Sequence, residues 1–191
     1  MNMQKSNDEI FLESAIKLFR YYKKLGEGAM AQLNDEEVLR KPNEASNSIA
    51  LIVHHLSGNM LSRWTDFLNS DGEKPWRNRE AEFDESYPDK KTMLAAWEKG
   101  WDCLFLAVEN ISTNDLSKII YIRNEGQSVL EAIQRQLAHY PHHVGQILYQ
   151  AKVMKGNDFK SLSIPKGNSE TFNKEKFGQE KSRKHFTDEL K

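Results

Sequence analysis

Apolar side chains return every three or four positions through four long stretches of this chain, a spacing that lines them up on one face of an α-helix. The first stretch runs from Asn7 to about Leu33 and carries Ile10, Phe11, Ala15, Leu18, Tyr22, Leu25 and Ala29. Ser6 or Asn7 can cap it, and Asp8 and Glu9 suit the positive end of its dipole. A second helix is predicted from Ser46 or Ser48, with Ile49, Ile52, Val53, Leu56, Met60, Trp64 and Phe67 on one stripe, until Asn69-Ser70-Asp71-Gly72 stops it. A third follows Asp89 through Met93, Leu94, Trp97, Trp101, Leu104, Phe105 and Val108. The fourth starts after Ser128, which has Glu131 three residues on as its capping-box partner, and continues through Ile133, Leu137, Tyr140, Val144, Leu148 and Ala151 to Gly156. A one-faced helix has to bury its stripe against another element. Four of them with little strand predict an all-α fold, an antiparallel four-helix bundle.

The connections are less regular. Asn34-Asp35-Glu36-Glu37 and Pro42 mark the exit from the first helix. Glu73 to Pro88, centred on Pro75-Trp76-Arg77-Asn78-Arg79, has no clean period and is predicted as an ordered loop crossing the bundle. Trp76 and Phe83 are expected to be buried there, since large rings are costly to leave in water. Lys118 to Arg123 predicts a short β-rich insertion before the last helix, with a turn at Asn124-Glu125-Gly126. The bundle then accounts for residues 1–156, and 157–191 form a carboxy-terminal extension. Phe159, Leu162 and Ile164 are expected to pack on the bundle, with Glu175 to Lys191 a loosely held helix or disordered.

Charge excludes some partners. The chain holds 27 Lys+Arg against 28 Asp+Glu, so there is no basic excess to bring it to nucleic acid or to a membrane surface. Met1 to Glu9 lacks the apolar run of a signal peptide, and no apolar stretch is long enough to span a bilayer, which predicts a cytoplasmic protein. Cys103 is the single cysteine, ruling out an internal disulfide or a cysteine-based zinc site, and it reads as a small buried hydrophobe.

The chemistry is concentrated in histidine. Of six histidines, His185 lies in the charged tail and reads as solvated. His139 and His143 are four apart, so both imidazoles fall on one face of the fourth helix, while His142 points nearly opposite. A third imidazole from a facing helix would complete an open three-histidine metal site, and the second helix offers His54 and His55. Helical position does not choose between these two. Pro141 stands between the paired histidines, and a proline inside a helix removes a donor and crowds the carbonyl of Leu137, so a local kink is expected.

The pattern His139-x-x-x-His143-x-Gly145-Gln146-Ile147, with His55 on the second helix, resembles the DinB-like superfamily of bacterial four-helix-bundle proteins, over about Asp8 to Gly156. Within it, His54-His55-Leu56-Ser57-Gly58-Asn59-Met60, Gly72-Glu73-Lys74-Pro75-Trp76-Arg77 and Leu162-Ser163-Ile164-Pro165-Lys166-Gly167 are similar to a subgroup of uncharacterised bacterial proteins. The resemblance implies a divalent metal held by His55, His139 and His143. Members of the superfamily include S-transferases that use low-molecular-weight thiols and a metal-dependent isomerase. Others have no known activity.

Three neutral imidazoles suit zinc, nickel or iron. As an enzyme, the chain would use the metal as a Lewis acid toward a bound thiol or water, acting on a small-molecule thiol or electrophile. Asn59 and Gln146 are placed to support the ligands, and Arg77 and Arg79 beside Trp76 to bind an anionic substrate. The loop of Trp76 and the segment Leu162 to Gly167 are expected to frame the mouth of the site. Against an enzyme stands the absence of a carboxylate general base in the histidine motif; the alternative is a metal-stabilised scaffold or a stress-related interaction module. A homodimer is the expected assembly.

Overall fold

The computed structural model of the chain describes residues 5–84 and 87–189. Expectations for the first four residues, for residues 85–86 of the irregular loop and for the last two of the tail lie outside the described residues. In chain order the elements are α1 (Asn7–Met30), a short α2 (Asp35–Leu39), α3 (Ile49–Trp64), a one-turn α4 (Ala81–Asp84), α5 (Lys90–Glu109), a hairpin of β1 (Ile119–Ile122) and β2 (Glu125–Ser128), α6 (Val129–Lys155) and α7 (Ser169–Phe177). The fold is mostly helical with one small two-stranded sheet. No helix among the described residues is long and apolar enough to cross a membrane.

Caps set the helix starts. Ser6, not Asn7, begins α1: its hydroxyl accepts from the Glu9 amide at 3.2 Å and the Glu9 carboxylate accepts from the Ser6 amide at 2.7 Å. Ser48 caps α3 and Asp89 caps α5, each accepting from the amide three residues on. Ser128 and Glu131 close a full capping box on α6. The same motif explains an element that periodicity missed. Asn34 and Glu37 form a capping box and start α2, where the sequence had read only an exit.

The four long helices share one core. α1 packs along α6 and α3 along α5, while contacts of α3 with α6 and of α1 with α5 close the ring. The centre is aromatic: Phe19, Trp101 and Tyr140 lie within 5.8–6.5 Å of one another, centroid to centroid, and all three are fully buried. Each such side chain contributes roughly 1.5–3 kcal/mol by leaving water. Gly100 sets how closely α3 and α5 approach, because a Cβ there would stand 3.0 Å from the Ser57 Cα.

The β insertion is a tight hairpin with Ile122 opposite Glu125, so the turn residues are Arg123 and Asn124, not Asn124 to Gly126. Both have positive φ, 56° and 62°, the conformation that a two-residue turn needs to follow the twist of its strands. The Asp71 carboxylate stabilises this turn by accepting from the amides of Arg123 and Asn124, each at 2.9 Å. The Gly72 amide donates to the Tyr121 carbonyl at 2.8 Å. The loop after α3 is thereby fastened to the hairpin before α6.

After α6 the chain lies along α1. Leu162 sits against Gly28, and Lys160 and Gln32 exchange hydrogen bonds of 2.7 and 3.2 Å. His185, expected to be solvated, is half-buried, with Nε2 3.1 Å from the Ser14 hydroxyl and Nδ1 2.7 Å from that of Thr187. Its neighbour Phe186 meets the Tyr21 ring edge-on.

Candidate metal centre

α3 and α6 bring three imidazoles to one point. His55 sits inside the buried stripe of α3 and is 5% exposed. Its Nε2 lies 3.3 Å from Nε2 of His139, which lies 3.1 Å from Nε2 of His143. One nitrogen from each ring falls within 4.8 Å of the other two. Three nitrogens each about 2.0–2.1 Å from one zinc ion would stand roughly 3.0–3.4 Å apart, so the donor set fits a divalent ion. The four-residue pairing of His139 with His143 persists across Pro141, since α6 runs through it without interruption.

The far nitrogen of every ring is engaged. His55 Nδ1–H donates to Glu82 Oε2 at 2.9 Å, His139 Nδ1–H to Gln136 Oε1 at 3.1 Å, and His143 Nδ1–H to Gln146 Oε1 at 2.8 Å. In a neutral ring with the proton on Nδ1, Nε2 is a lone pair. Three lone pairs thus converge on one point, an arrangement that repels itself and attracts a cation. Burial, with the charges of His143 and His55, holds His139 down to about 3; burial holds His143 down to about 4 despite its hydrogen bond to Gln146. Both rings are therefore neutral and ready to donate at neutral pH.

Glu82 is the residue that sequence reasoning missed. It stands 27 positions after His55 on the one-turn α4, where no period predicts its direction. Only 3% exposed, it also takes both Nε and Nη2 of Arg77, at 2.7 and 2.9 Å. Burial works to raise its carboxyl, and the hydrogen bonds from His55 and Arg77 outweigh that and keep it below the usual carboxylate range. Gly58 makes the approach possible, because a methyl group there would overlap the Glu82 carboxylate. Gln136 was also missed, although it left a signal: it is the one polar residue at a buried phase between Ile133 and Tyr140 on α6.

The remaining expected residues divide. Asn59, Arg77 and Arg79 line a cavity of about 210 Å³ beside His55 and His139. Asn59 Oδ1 accepts from the Tyr140 hydroxyl at 3.1 Å, and that oxygen accepts from Trp64 Nε1 at 3.0 Å. Burial pushes the Tyr140 phenol up, so it remains a neutral donor. Arg77 is occupied by Glu82 and its side chain is 2% exposed, which makes it a positioning residue rather than a free anion binder. Trp76 is 59% exposed and does not line the cavity. The loop is held instead by the buried Arg77–Glu82 pair and by Phe83 stacked on the His55 ring at 5.0 Å, and a single outward aromatic is tolerated. Gln146 supports His143 rather than facing the cavity, and its amide nitrogen lies 3.4 Å from His142 Nε2. His142 is exposed, and His54 turns to the Tyr87 ring 5.1 Å away. Leu162 to Gly167 do not frame the site: Leu162, Ile164 and Pro165 line a separate groove with Tyr21 and Leu25 of α1, drawn there by its apolar surface.

Residues 6–168 match the profile of a family described as a protein of unknown function, DUF1572. No curated protein matches the chain.

Proposed function

Since the chain belongs to the DUF1572 family, whose description carries no activity over to it, we propose from the site alone that it is a divalent-metal protein of the DinB-like type. Its four long helices would form an antiparallel four-helix bundle over residues 1–156, and the ion, zinc, nickel or iron, would be held by His55, His139 and His143. The observation that carries this reading is the convergence of three imidazoles, His139 Nε2 standing 3.3 Å from that of His55 and 3.1 Å from that of His143, while each Nδ1 is fixed as a donor to Glu82, Gln136 or Gln146. Such outer partners orient metal-ligating histidines and raise their basicity.

We further propose that the protein is a metal-dependent enzyme acting on a small molecule, in the manner of a thiol S-transferase. When bound, the ion supplies a Lewis acid that favours the anionic form of a thiol or water. The chain's own residues do the rest. Glu82 and the two glutamines fix the tautomers, the Arg77 clamp keeps Glu82 ionised, and the cavity beside His55 and His139 leaves an approach for a ligand. That approach is what favours an enzyme over a metal-stabilised scaffold. A homodimer in the cytoplasm belongs to the same reading.

The test is elemental analysis of protein purified without a histidine tag, followed by a screen for conjugation of low-molecular-weight thiols to electrophiles. About one divalent ion per chain, lost in His143→Ala, supports the site; metal without turnover in the screen selects the scaffold. A metal-free protein that takes up none of the three ions in dialysis sinks the reading.

A further inference from the structure

The whole chain is close to neutral, yet the cavity beside the histidines is lined by Arg63, Arg77, Arg79, Arg123 and Arg135. Among the described residues, two carboxylates answer them. Glu82 is taken by Arg77, and Glu73 is shared by Arg63 at 3.2 Å, Arg77 at 3.7 Å and Arg123 at 3.0 Å. Arg79 and Arg135 form no ion pair among the described residues. Five guanidinium groups against two carboxylates leave an excess of positive charge in a space of about 210 Å³. A cleft lined by one sign of charge concentrates ions of the opposite sign.

The arrangement is built rather than incidental. The inner pair, Arg63 and Arg77, is buried and neutralised, whereas Arg79, Arg123 and Arg135 are exposed and have donors to spare. Arg135 stands one turn before His139 on α6 and lines the same cavity. Arg123 is held at the hairpin tip, whose turn the Asp71 carboxylate fixes. Three elements thus deliver guanidinium groups to the space that His55 and His139 border. Planar guanidinium donors match the paired oxygens of carboxylate and phosphoryl groups.

We infer that Arg79, Arg123 and Arg135 form an oxyanion subsite next to the histidine triad, taking a doubly charged phosphoryl or dicarboxylate group on the ligand that this site binds. The cavity is below the roughly 300–1,000 Å³ of drug-sized sites and suits the charged end of a small molecule. The subsite stands on the arginines alone; only the assignment of the ligand's other end to a metal rests on the function proposed above.

Calorimetric titration of the full-length protein at low ionic strength tests this, with sodium sulfate standing for a phosphoryl group, sodium succinate for a dicarboxylate and sodium chloride as control, on zinc-loaded and on chelator-treated protein. Sulfate or succinate is expected to bind where chloride does not, and whichever binds more tightly names the class. Arg79→Ala and Arg135→Ala should each weaken that binding about tenfold, with zinc content and helical circular dichroism unchanged. Arg20→Ala, remote on α1 and paired with Glu109, should leave it intact. Arginine-dependent binding that survives chelation, in a protein that takes up no zinc, would sustain the subsite and remove the metal reading. Binding that vanishes with zinc and ignores Arg79 and Arg135 would overturn the subsite, as would no binding of either dianion.

Discussion

The two halves of the histidine cluster are assembled by different means. On α6 everything is local: His139 takes Gln136 three residues before it, and His143 takes Gln146 three residues after it. On α3 the support for His55 is imported, a buried carboxylate from a one-turn helix in an irregular loop, itself clamped by Arg77. The α6 half rests on neutral amides and is partly open; the α3 half rests on a charge pair whose side chains are buried from solvent. The first should be robust to change, and the second brittle.

The sharpest break would come from the ligands. His139→Ala or His143→Ala should reduce bound metal from about one ion per chain to near none by elemental analysis, while the fold persists by circular dichroism. Next in size is the imported half. Arg77→Ala would leave the Glu82 carboxylate buried without its guanidinium and held by His55 alone, and should cost about 3–5 kcal/mol in denaturant unfolding. Glu82→Gln keeps the volume and an acceptor, and should lower metal affinity about 10- to 100-fold in a competition titration. Gln146→Ala is expected to lower it only severalfold, because water can replace an exposed amide. If Gln146→Ala proved the costlier of these two, the contrast between the halves would be wrong.

A smaller effect concerns pH in metal-free protein. His139 and His143 are held below their ordinary value of 6.5, to about 3 and about 4. Above pH 6.5 neither folded nor unfolded chain is protonated there, and the two rings are neutral in both. As pH falls below 6.5 the unfolded chain takes up protons that the folded one refuses, so stability should decline from about 6.5 down through about 4 for His143 and on to about 3 for His139. Urea midpoints across that window should fall less steeply in His139→Ala. Smallest of all, His142→Ala should leave metal content nearly unchanged, since that ring is exposed and meets the Gln146 amide and the edge of His143.

The same contrast explains what could be read from the sequence. The long helices were legible because burial of one face writes a period into each, and their caps are local motifs. His139 and His143 were legible for the same reason, being four apart on one helix. Glu82 was not, because its direction depends on how a loop without periodicity lies over α3, and on Gly58 leaving room for it. Trp76 misled for a related reason: a large ring predicts burial on average, but here the buried Arg77–Glu82 pair holds the loop. The arginine cluster was hidden by a balanced total charge, which says nothing of where the charges meet.

His55 and His139 are 84 residues apart along the chain, whereas His139 and His143 belong to one turn of one helix. An ion bridging them would therefore act as a cross-link closing a loop of 84 residues, nearly half of the 191-residue chain. In the chain-entropy account a lasting link of that span removes on the order of 4 kcal/mol of freedom from the unfolded ensemble. During refolding the α6 pair is available as soon as that helix forms, but the third ligand arrives only when α3 docks. Contacts completed late leave the folding rate nearly untouched and slow unfolding instead. Metal should lengthen the lifetime of the native chain without hastening its birth.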